Sequence, residues 1–290
     1  MGTLLGFAAV LMWALLALLT ALSGDVPPFQ LAAMSFAIAS VIGLVMLRVR
    51  GVGFRVFRQR PEVWLVGVGG LFGYHALYFA ALKAAPAAEA SLIAYLWPLL
   101  IVLGSASLPG ERLRWFHIAG ALLGLCGAAL IVTRGGGVSL DPRYTLGYGL
   151  AILCALTWSS YSLLSRRFGD VPSDVVSGFC LATAFLSLIG HLAFETTVWP
   201  VGAGQWTAVL ILGLLPVGGA FYVWDYGVKH GDIQLIGAAS YAAPLLSTLV
   251  LVVAGEAEMR FEIGAAALLI TAGAGLAALP LFKRLSRRRL

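Results

Sequence analysis

Charged residues are scarce in this chain of 290 residues, where they make up 11% of the sequence. Soluble domains carry about 25% charged residues, so the composition excludes an ordinary soluble protein. Hydrophobic residues reach 60%, and the mean hydropathy is +0.94. Charge-poor runs of about 20 residues, the length that crosses a bilayer, follow one another almost end to end. The composition therefore predicts an all-α polytopic membrane protein with almost no mass outside the membrane.

Cysteine is also rare, and Cys126, Cys154 and Cys180 lie far apart inside apolar runs. This placement is typical of small core residues and indicates neither a disulfide nor a metal site. The sequence has no His-Glu-x-x-His or Gly-x-Ser-Gly pattern, and no span holds two carboxylates one helical turn apart. A membrane-embedded enzyme needs groups of this kind. We therefore expect no catalysis, no metal and no cofactor.

The 19 Lys and Arg residues give a net charge of +6 and a pI near 9.5, but they lie in short loops and in the tail. This distribution is a topology signal, so we expect no nucleic-acid partner. Loops that alternate across the membrane hold 15 basic residues on one side and four on the other. Because basic loops stay in the cytoplasm, both termini are predicted to be cytoplasmic. The basic tail at 282–290 is predicted to contact anionic lipid heads of the bilayer.

Ten apolar runs are separated by turn residues or charges. The first run has no basic region before it, so we interpret it as a retained helix and not as a signal peptide. A shift of one helix would scramble the loop-charge bias, which supports the count of ten. The predicted spans are residues 3–22, 29–49, 62–82, 88–108, 114–133, 145–165, 173–194, 205–227, 232–254 and 261–282.

The two halves of the chain repeat each other. Trp13 matches Trp158 at an offset of 145 residues, and GDVP at 24–27 matches GDVP at 169–172. Each half holds five spans, so the second half must be inverted in the membrane relative to the first. Inverted repeats build alternating-access carriers, so we predict two five-helix repeats, 1–138 and 139–290, around a central cavity. At an offset of 146 the further matches are Lys83 with Lys229, Tyr95 with Tyr241, and Pro98 with Pro244.

A set of short motifs in the first half resembles the EamA module of the drug/metabolite transporter superfamily. The second half carries a weaker copy through Pro244, Gly255 and Glu256. Within that superfamily the chain resembles the YddG-type bacterial exporters of aromatic amino acids. The resemblance implies ten helices in a basket around a central cavity, and efflux across the inner membrane. The motif residues in the first half are Tyr78, Ala81, Leu82, Pro86, Ala87, Ala90, Pro98, Gly110 and Glu111.

Several aromatic residues lie at mid-span depth, whereas interfacial aromatics belong at the membrane surfaces. A phenol or indole polar group in hydrocarbon needs a partner, which favours an inward, hydrated position. The alternative interpretation is ordinary packing between helices. Two repeat-matched pairs weaken that alternative, because symmetry-related positions meet at a central cavity. The mid-span residues are Trp13, Tyr95, Trp97, Trp158 and Tyr241.

The third and eighth spans add further polar aromatics. Tyr74 and Tyr78 are spaced i, i+4 and share a helix face, and Trp224 matches Tyr78 in the repeat. His75 lies inside the third span, where a hydrogen-bonding or proton-coupling role and a packing role are both open. A cavity walled by Tyr, Trp and His suits a flat, amphipathic solute.

Two lysines occupy matching turns at opposite faces of the membrane. Lys83 ends the third span, where it either attracts a substrate carboxylate or extends its ammonium to the interface. Lys229 is spaced i, i+4 from Asp225, and this ion pair is interpreted as structural or as part of a gate. Pro98 and Pro244 each break a helix at mid-span and are predicted to act as hinges.

These patterns favour a monomeric carrier that exports an aromatic amino acid or a related amphipathic metabolite. The alternative is a carrier of another substrate, coupled to protons through His75. An ion channel is disfavoured because pseudo-symmetry in one chain favours a carrier. A phosphorylated substrate is disfavoured because no Arg lies at mid-span. The predicted substrate-binding residues are Trp13, Tyr74, His75, Tyr78, Lys83, Tyr95, Trp97, Trp158, Trp224 and Tyr241.

Overall fold

A computed structural model describes residues 1–137 and 140–279, and within these ranges the chain is helical with no strand. Nine helices in this part of the chain are long and apolar enough to cross a membrane, and a tenth is apolar but only 17 residues long. In chain order they are α1 (Gly2–Leu22), α2 (Pro28–Val49), α3 (Pro61–Ala84), α4 (Ala87–Ser107), α5 (Trp115–Thr133), α6 (Pro142–Arg167), α7 (Ser173–Phe194), α8 (Gly202–His230), α9 (Ile233–Val253) and α10 (Phe261–Ala277).

Each predicted span coincides with one of these helices, although the ends differ by a few residues. The largest difference is in α8, which continues to His230, so that Lys229 lies inside the helix and not in a loop. The predicted tenth span reaches beyond the last described residue. The predicted basic tail, 282–290, lies outside the described residues.

Helices α4 and α9 are each interrupted immediately before a proline. The first part of α4 ends at Ala94 and the second begins at Trp97, next to Pro98. In α9 the parts end at Ala239 and begin at Ala242, two residues before Pro244. Proline lacks the N–H that would continue the ladder, and its ring collides with the preceding turn. Both prolines therefore lie at the breaks that their positions predict.

Helices α3 and α8 each contain one π-helical segment, which was not predicted from the sequence. These segments are Gly69–Gly73 and Leu215–Gly219. Their first residues are separated by the same offset of 146 that relates Tyr95 to Tyr241. A π segment shifts the helix register and leaves carbonyl groups free of their usual partners, and such segments are frequent at functional sites.

The four most extensive helix pairs each join the two halves of the chain: α1 with α8, α3 with α6, α2 with α7, and α5 with α10. Small residues bring these backbones together, as is usual between membrane helices. A Cβ atom placed on Gly120 would lie 2.5 Å from the carbonyl oxygen of Gly273, and the reverse distance is also 2.5 Å. Helices α5 and α10 therefore touch backbone to backbone.

We expect Gly273→Leu to destabilise the folded protein by about 1–3 kcal/mol, because its side chain would overlap the α5 backbone. Gly275→Leu is the matched control, since nothing lies within 4 Å of a Cβ at that position. Thermal unfolding in detergent is the measurement. Equal melting temperatures for the two variants would contradict the close contact between α5 and α10.

The loops gather at two ends of the helix bundle. At the end that holds the amino terminus, hereafter the N-terminal end, Thr3 Oγ1 accepts a hydrogen bond from Asp232 N at 3.0 Å. Arg50, which follows α2, pairs there with Asp174 of α7 at 2.7 Å. At the opposite end, Glu195 accepts hydrogen bonds from the backbone N–H groups of Phe29 and Gln30 at 2.9 and 3.1 Å. Helices α2 and α7 are thus tied together at both ends.

Candidate functional site

A cavity of about 610 Å³ lies in the centre of the bundle, where helices α1, α3, α4, α6, α8 and α9 meet. Binding sites for small molecules have volumes of about 300–1,000 Å³. None of the described residues that line the cavity is Asp, Glu, Lys or Arg. The lining consists of Trp13, Leu16, Ala17, Thr20, Ala21, Tyr74, His75, Tyr78, Ala94, Tyr95, Trp97, Trp158, Pro216, Val217, Phe221, Ala243 and Ser247.

Four indole rings, from Trp13, Trp97, Trp158 and Trp224, close the cavity toward the N-terminal end, and we call them the tryptophan cluster. Trp13 is central, with ring centroids 6.2 Å from Trp97, 5.8 Å from Trp158 and 5.0 Å from Trp224. Most of these pairs are edge-to-face, an arrangement that aromatic rings prefer. Toward the opposite end, the lining continues to Ala21 and Ser247.

Two of the four indole N–H groups in the cluster donate hydrogen bonds, those of Trp13 and Trp224. Trp13 Nε1 donates to the carbonyl oxygen of Pro216 at 3.1 Å, inside the π segment of α8. Trp224 Nε1 donates to Ser162 Oγ at 3.1 Å. The π segment therefore supplies a carbonyl that fixes the orientation of a cavity-lining ring.

Tyrosines of α3 form a second wall of the cavity. The rings of Tyr74 and Tyr78 stack with centroids 6.1 Å apart and an interplanar angle of 8°. The Tyr78 hydroxyl shares a hydrogen bond of 3.0 Å with Ser91 Oγ, and Tyr74 packs against Trp158 at 5.3 Å. The i, i+4 spacing of the two tyrosines thus produces the shared face that the sequence predicted.

His75 also lines the cavity. Its Nδ1 lies 2.7 Å from the carbonyl oxygen of Leu71, in the π segment of α3. A carbonyl oxygen only accepts hydrogen bonds, so Nδ1 carries a proton and Nε2 is the remaining polar atom of the ring. Phe36 and Phe221 pack edge-on against the imidazole at 5.2 and 6.1 Å. These contacts hold the ring in place beside the cavity.

Three of the predicted substrate-binding residues do not line the cavity. Trp224 is fully buried behind Trp13, and Lys83 is exposed at the end of α3. Tyr241 is fully buried, and its hydroxyl accepts a hydrogen bond of 3.1 Å from Leu99 N. That N–H follows Pro98 at the break in α4, so Tyr241 satisfies a backbone group that the break leaves free. The structure brings the other predicted residues together around one space.

Cavity-lining residues that the sequence did not indicate include Pro216, Val217 and Phe221 of α8, and the hydroxyl-bearing Thr20 and Ser247. At the 146-residue offset the Leu-Pro-Val-Gly-Gly run of α8 shares one identical position with the Gly-Gly-Leu-Phe-Gly run of α3, Gly219 with Gly73. The sequence signal for this part of the cavity was therefore a single glycine. Depth in the membrane alone does not reveal which face of a helix turns inward.

Beneath the tryptophan cluster, charged groups close the N-terminal end. Arg166 Nη1 donates to the carbonyl oxygens of Val228, Lys229 and Gly231 at 3.0, 3.2 and 2.6 Å. Its Nη2 pairs with the carboxylate of Glu111, in the loop after α4. We call this set of contacts the arginine clasp. One guanidinium thereby joins the ends of α4, α6 and α8.

A buried ion pair lies between the clasp and the cluster. Lys229 Nζ donates to Asp225 Oδ2 at 2.7 Å and to the carbonyl oxygen of Val171 at 2.9 Å. Within residues 1–137 and 140–279, no three His, Cys, Asp or Glu side chains are grouped to hold a metal ion. The chemistry available to a ligand in the cavity is therefore ring stacking and scattered hydrogen bonding.

Comparison with known proteins identifies the family. The aromatic amino acid exporter YddG of Ancylobacter novellus is 56% identical over 279 residues, which cover 96% of this chain and 97% of that protein. The protein of the same name from Escherichia coli (strain K12) is 26% identical over 296 residues and 94% of each chain. A crystal structure with 55% identity superposes with a TM-score of 0.92 over 96% of this chain and 97% of that one. The profile of the EamA-like transporter family matches residues 1–133 and 145–279, so this multi-pass membrane protein belongs to that family.

Proposed function

We propose that the protein exports aromatic amino acids, or related amphipathic metabolites, across the bacterial inner membrane by alternating access. The observation that carries this proposal is the central cavity, whose described lining holds no Asp, Glu, Lys or Arg and presents indole, phenol and imidazole rings beside small apolar residues. Aromatic pairs contribute about 0.5–1.5 kcal/mol each beyond the area they bury. The name of the 56% identical relative, an aromatic amino acid exporter, supports the same substrate class.

The arrangement proposed for transport is ten membrane helices in two inverted repeats, 1–138 and 139–290. The four helix pairs support it, because α2 with α7 and α5 with α10 join equivalent helices, while α1 with α8 mirrors α3 with α6. The matched breaks before Pro98 and Pro244, and the matched π segments, also support it. The family profile fits each half separately.

In this proposal both termini are cytoplasmic and the cavity leads outward. The basic loops support this orientation, since Arg50, Arg166 and Arg167 lie at the N-terminal end. The tryptophan cluster and the arginine clasp then close the cytoplasmic side. The substrate would lie above the cluster and reach the outside through the space beside Ala21 and Ser247.

The proposed substrate contacts are the predicted residues that line the cavity. A ring would stack between the tyrosine wall and the tryptophan cluster, and its ammonium would lie against aromatic faces, a contact of about 0.5–2 kcal/mol. In this proposal Trp224 and Tyr241 support the wall, Lys83 lies on the outward path, and Pro98 and Pro244 are hinges. The contacts are Trp13, Tyr74, His75, Tyr78, Tyr95, Trp97 and Trp158.

The test loads proteoliposomes separately with labelled tryptophan, phenylalanine, threonine and lysine, and follows efflux. Protein-dependent efflux is expected to be fastest for tryptophan and phenylalanine, because only their rings stack on the cavity walls. Protein-free liposomes are the control for leakage. Equal and protein-independent release of all four amino acids would contradict the proposal. Repeating the experiment with an imposed pH gradient tests proton coupling through His75, which would make the rate depend on the gradient.

A further inference from the structure

Among the described residues that line the central cavity none is Asp, Glu, Lys or Arg, although an amino acid carries a carboxylate and an ammonium group. Ionised groups inside a membrane are costly unless they are paired or hydrated. A pair of opposite charges, Asp225 and Lys229, lies on α8 after Trp224, which is buried behind the cavity-lining Trp13. The charges that complement an amino acid therefore lie one and two helical turns after Phe221, a ring that lines the cavity.

This ion pair is almost completely buried. The side chains of Lys229 and Asp225 are 2% and 1% exposed, and their charged atoms are 2.7 Å apart. A buried ion pair loses hydration at both ends, and apolar residues of similar size usually stabilise a protein as well or better. Stability of the present conformation therefore gives little reason for charge at these two positions.

The pair is not accessible in the present conformation. The space beside Asp225 and Lys229 measures about 10 Å³, which is too small for an amino acid. Arg166 covers the carbonyl groups at the end of the same helix, including that of Lys229. A ligand reaches the pair only when the clasp releases and the N-terminal end opens.

The equivalent place in the other half differs in a way that suits export. At the 146-residue offset, Lys83 matches Lys229, but Phe79 stands where Asp225 would be. Lys83 is exposed at the end of α3 and has no acidic residue at i−4. The complete pair thus lies at the N-terminal end, where an exporter must capture its substrate, and only half of it lies where the substrate is released.

We propose that Asp225 and Lys229 form a loading site for the zwitterionic backbone of an α-amino acid. When the N-terminal end opens, Lys229 Nζ binds the substrate carboxylate and Asp225 binds the substrate ammonium. The two side chains exchange their mutual contact for two contacts with the ligand, so charge stays balanced and no bond is broken. This inference rests on the proposed export of amino acids and adds the site at which they enter.

The experiment uses inside-out vesicles, in which the N-terminal end of the protein faces the medium. It measures how strongly unlabelled compounds inhibit the uptake of labelled tryptophan. The competitors are unlabelled tryptophan, tryptophanamide, which lacks the carboxylate, and indole-3-propionate, which lacks the ammonium. In the native protein both analogues are expected to compete about tenfold more weakly than tryptophan, since a hydrogen bond to a charged group is at stake. In Asp225→Asn/Lys229→Gln all three are expected to compete within about twofold of one another.

The matched control is Arg50→Gln/Asp174→Asn, which neutralises an exposed ion pair at the same end. This control is expected to keep the tenfold preference for tryptophan. The loading site is refuted if Asp225→Asn/Lys229→Gln also keeps that preference. If the native protein takes up no tryptophan, the proposed function fails; if it takes up tryptophan without discriminating against the analogues, only the loading site fails.

A second measurement needs no variant and covers the case in which the neutralised protein does not fold. An impermeant amine-reactive reagent is applied to the same face, and modification of Lys229 is quantified by peptide mass spectrometry. Tryptophan is expected to slow this modification at least about fivefold more than tryptophanamide does, because only tryptophan brings a carboxylate to Nζ. Absence of modification, or equal protection by both ligands, contradicts the proposal.

Discussion

Trp13→Ala is expected to lower the transport rate at limiting substrate by at least about 30-fold. The indole of Trp13 contacts the rings of Trp97, Trp158, Phe221 and Trp224, with centroids 5.0 to 6.3 Å away. At about 0.5–1.5 kcal/mol for each ring pair, four contacts amount to about 2–6 kcal/mol. Each 1.4 kcal/mol is a factor of about ten. These ring contacts belong to the tryptophan cluster, which in this proposal both binds the substrate and closes the cavity.

Efflux from proteoliposomes at equal amounts of folded protein is the measurement. Trp115→Ala is the matched control, because the Trp115 side chain is 69% exposed and does not line the cavity. Trp13→Phe separates the ring from its polar group: it keeps the stacking but loses the hydrogen bond to Pro216, which contributes about 0.5–1.5 kcal/mol. An intermediate loss of about three- to tenfold is expected for it. Transport by Trp13→Ala within twofold of the native rate would remove the cluster from the site.

Sequence patterns predict one depth for Trp13, Trp97 and Trp158, because position along a span indicates depth in the membrane. In the structure the rings of these three residues contact one another. Depth does not determine rotation about the helix axis. Tyr241 shares the depth of Tyr95 but turns toward the break in α4, where its hydroxyl binds Leu99 N. Tyr95 and Tyr241 thus occupy equivalent positions in the repeats but have different surroundings, because the two repeats differ in sequence.

The π segments show a second limit. The clustered glycines Gly69, Gly70 and Gly73 predict close packing between membrane helices. Gly70 does lie against the side chain of Tyr161. The carbonyl groups of the two π segments have different kinds of partner: that of Pro216 accepts from Trp13 across the bundle, and that of Leu71 accepts from His75 within α3. Trp13 and Pro216 are 203 residues apart in the sequence, whereas His75 and Leu71 lie on adjacent turns of α3. Local sequence therefore predicts the helix but not its register shift.

The largest effect at the N-terminal end is expected from Arg166→Gln. This change removes the charge partner of Glu111 and the donor to three carbonyl oxygens at the end of α8. The Arg166 and Glu111 side chains are only 23% and 18% exposed, so the remaining carboxylate stays poorly hydrated. Hydrogen bonds that involve a charged group contribute about 1.5–3 kcal/mol. A loss of about 2–3 kcal/mol favours opening of this end by about 30- to 150-fold.

The measurement is the rate at which an impermeant thiol reagent, applied to the N-terminal face, modifies Ser165→Cys in a background without other cysteines. Ser165 is buried next to the clasp, so modification requires that this end open. The matched control is Arg167→Gln, because Arg167 is exposed and donates one hydrogen bond, to the Ser107 carbonyl oxygen. Arg166→Gln is expected to raise the rate at least about 30-fold, and the control to change it less than threefold.

The clasp also explains why the two ends of a repeated structure differ. At the 145-residue offset, Ala21 occupies the place of Arg166 and Glu256 the place of Glu111. Both are exposed, so the opposite end has a carboxylate without its arginine, and the cavity extends toward that end. A clasp on one side only favours the conformation closed at the N-terminal end, by the free energy of those contacts. If Arg166→Gln leaves the modification rate of Ser165→Cys unchanged, the bias must come from the tryptophan cluster instead, and Trp224→Ala in the same background would then raise that rate.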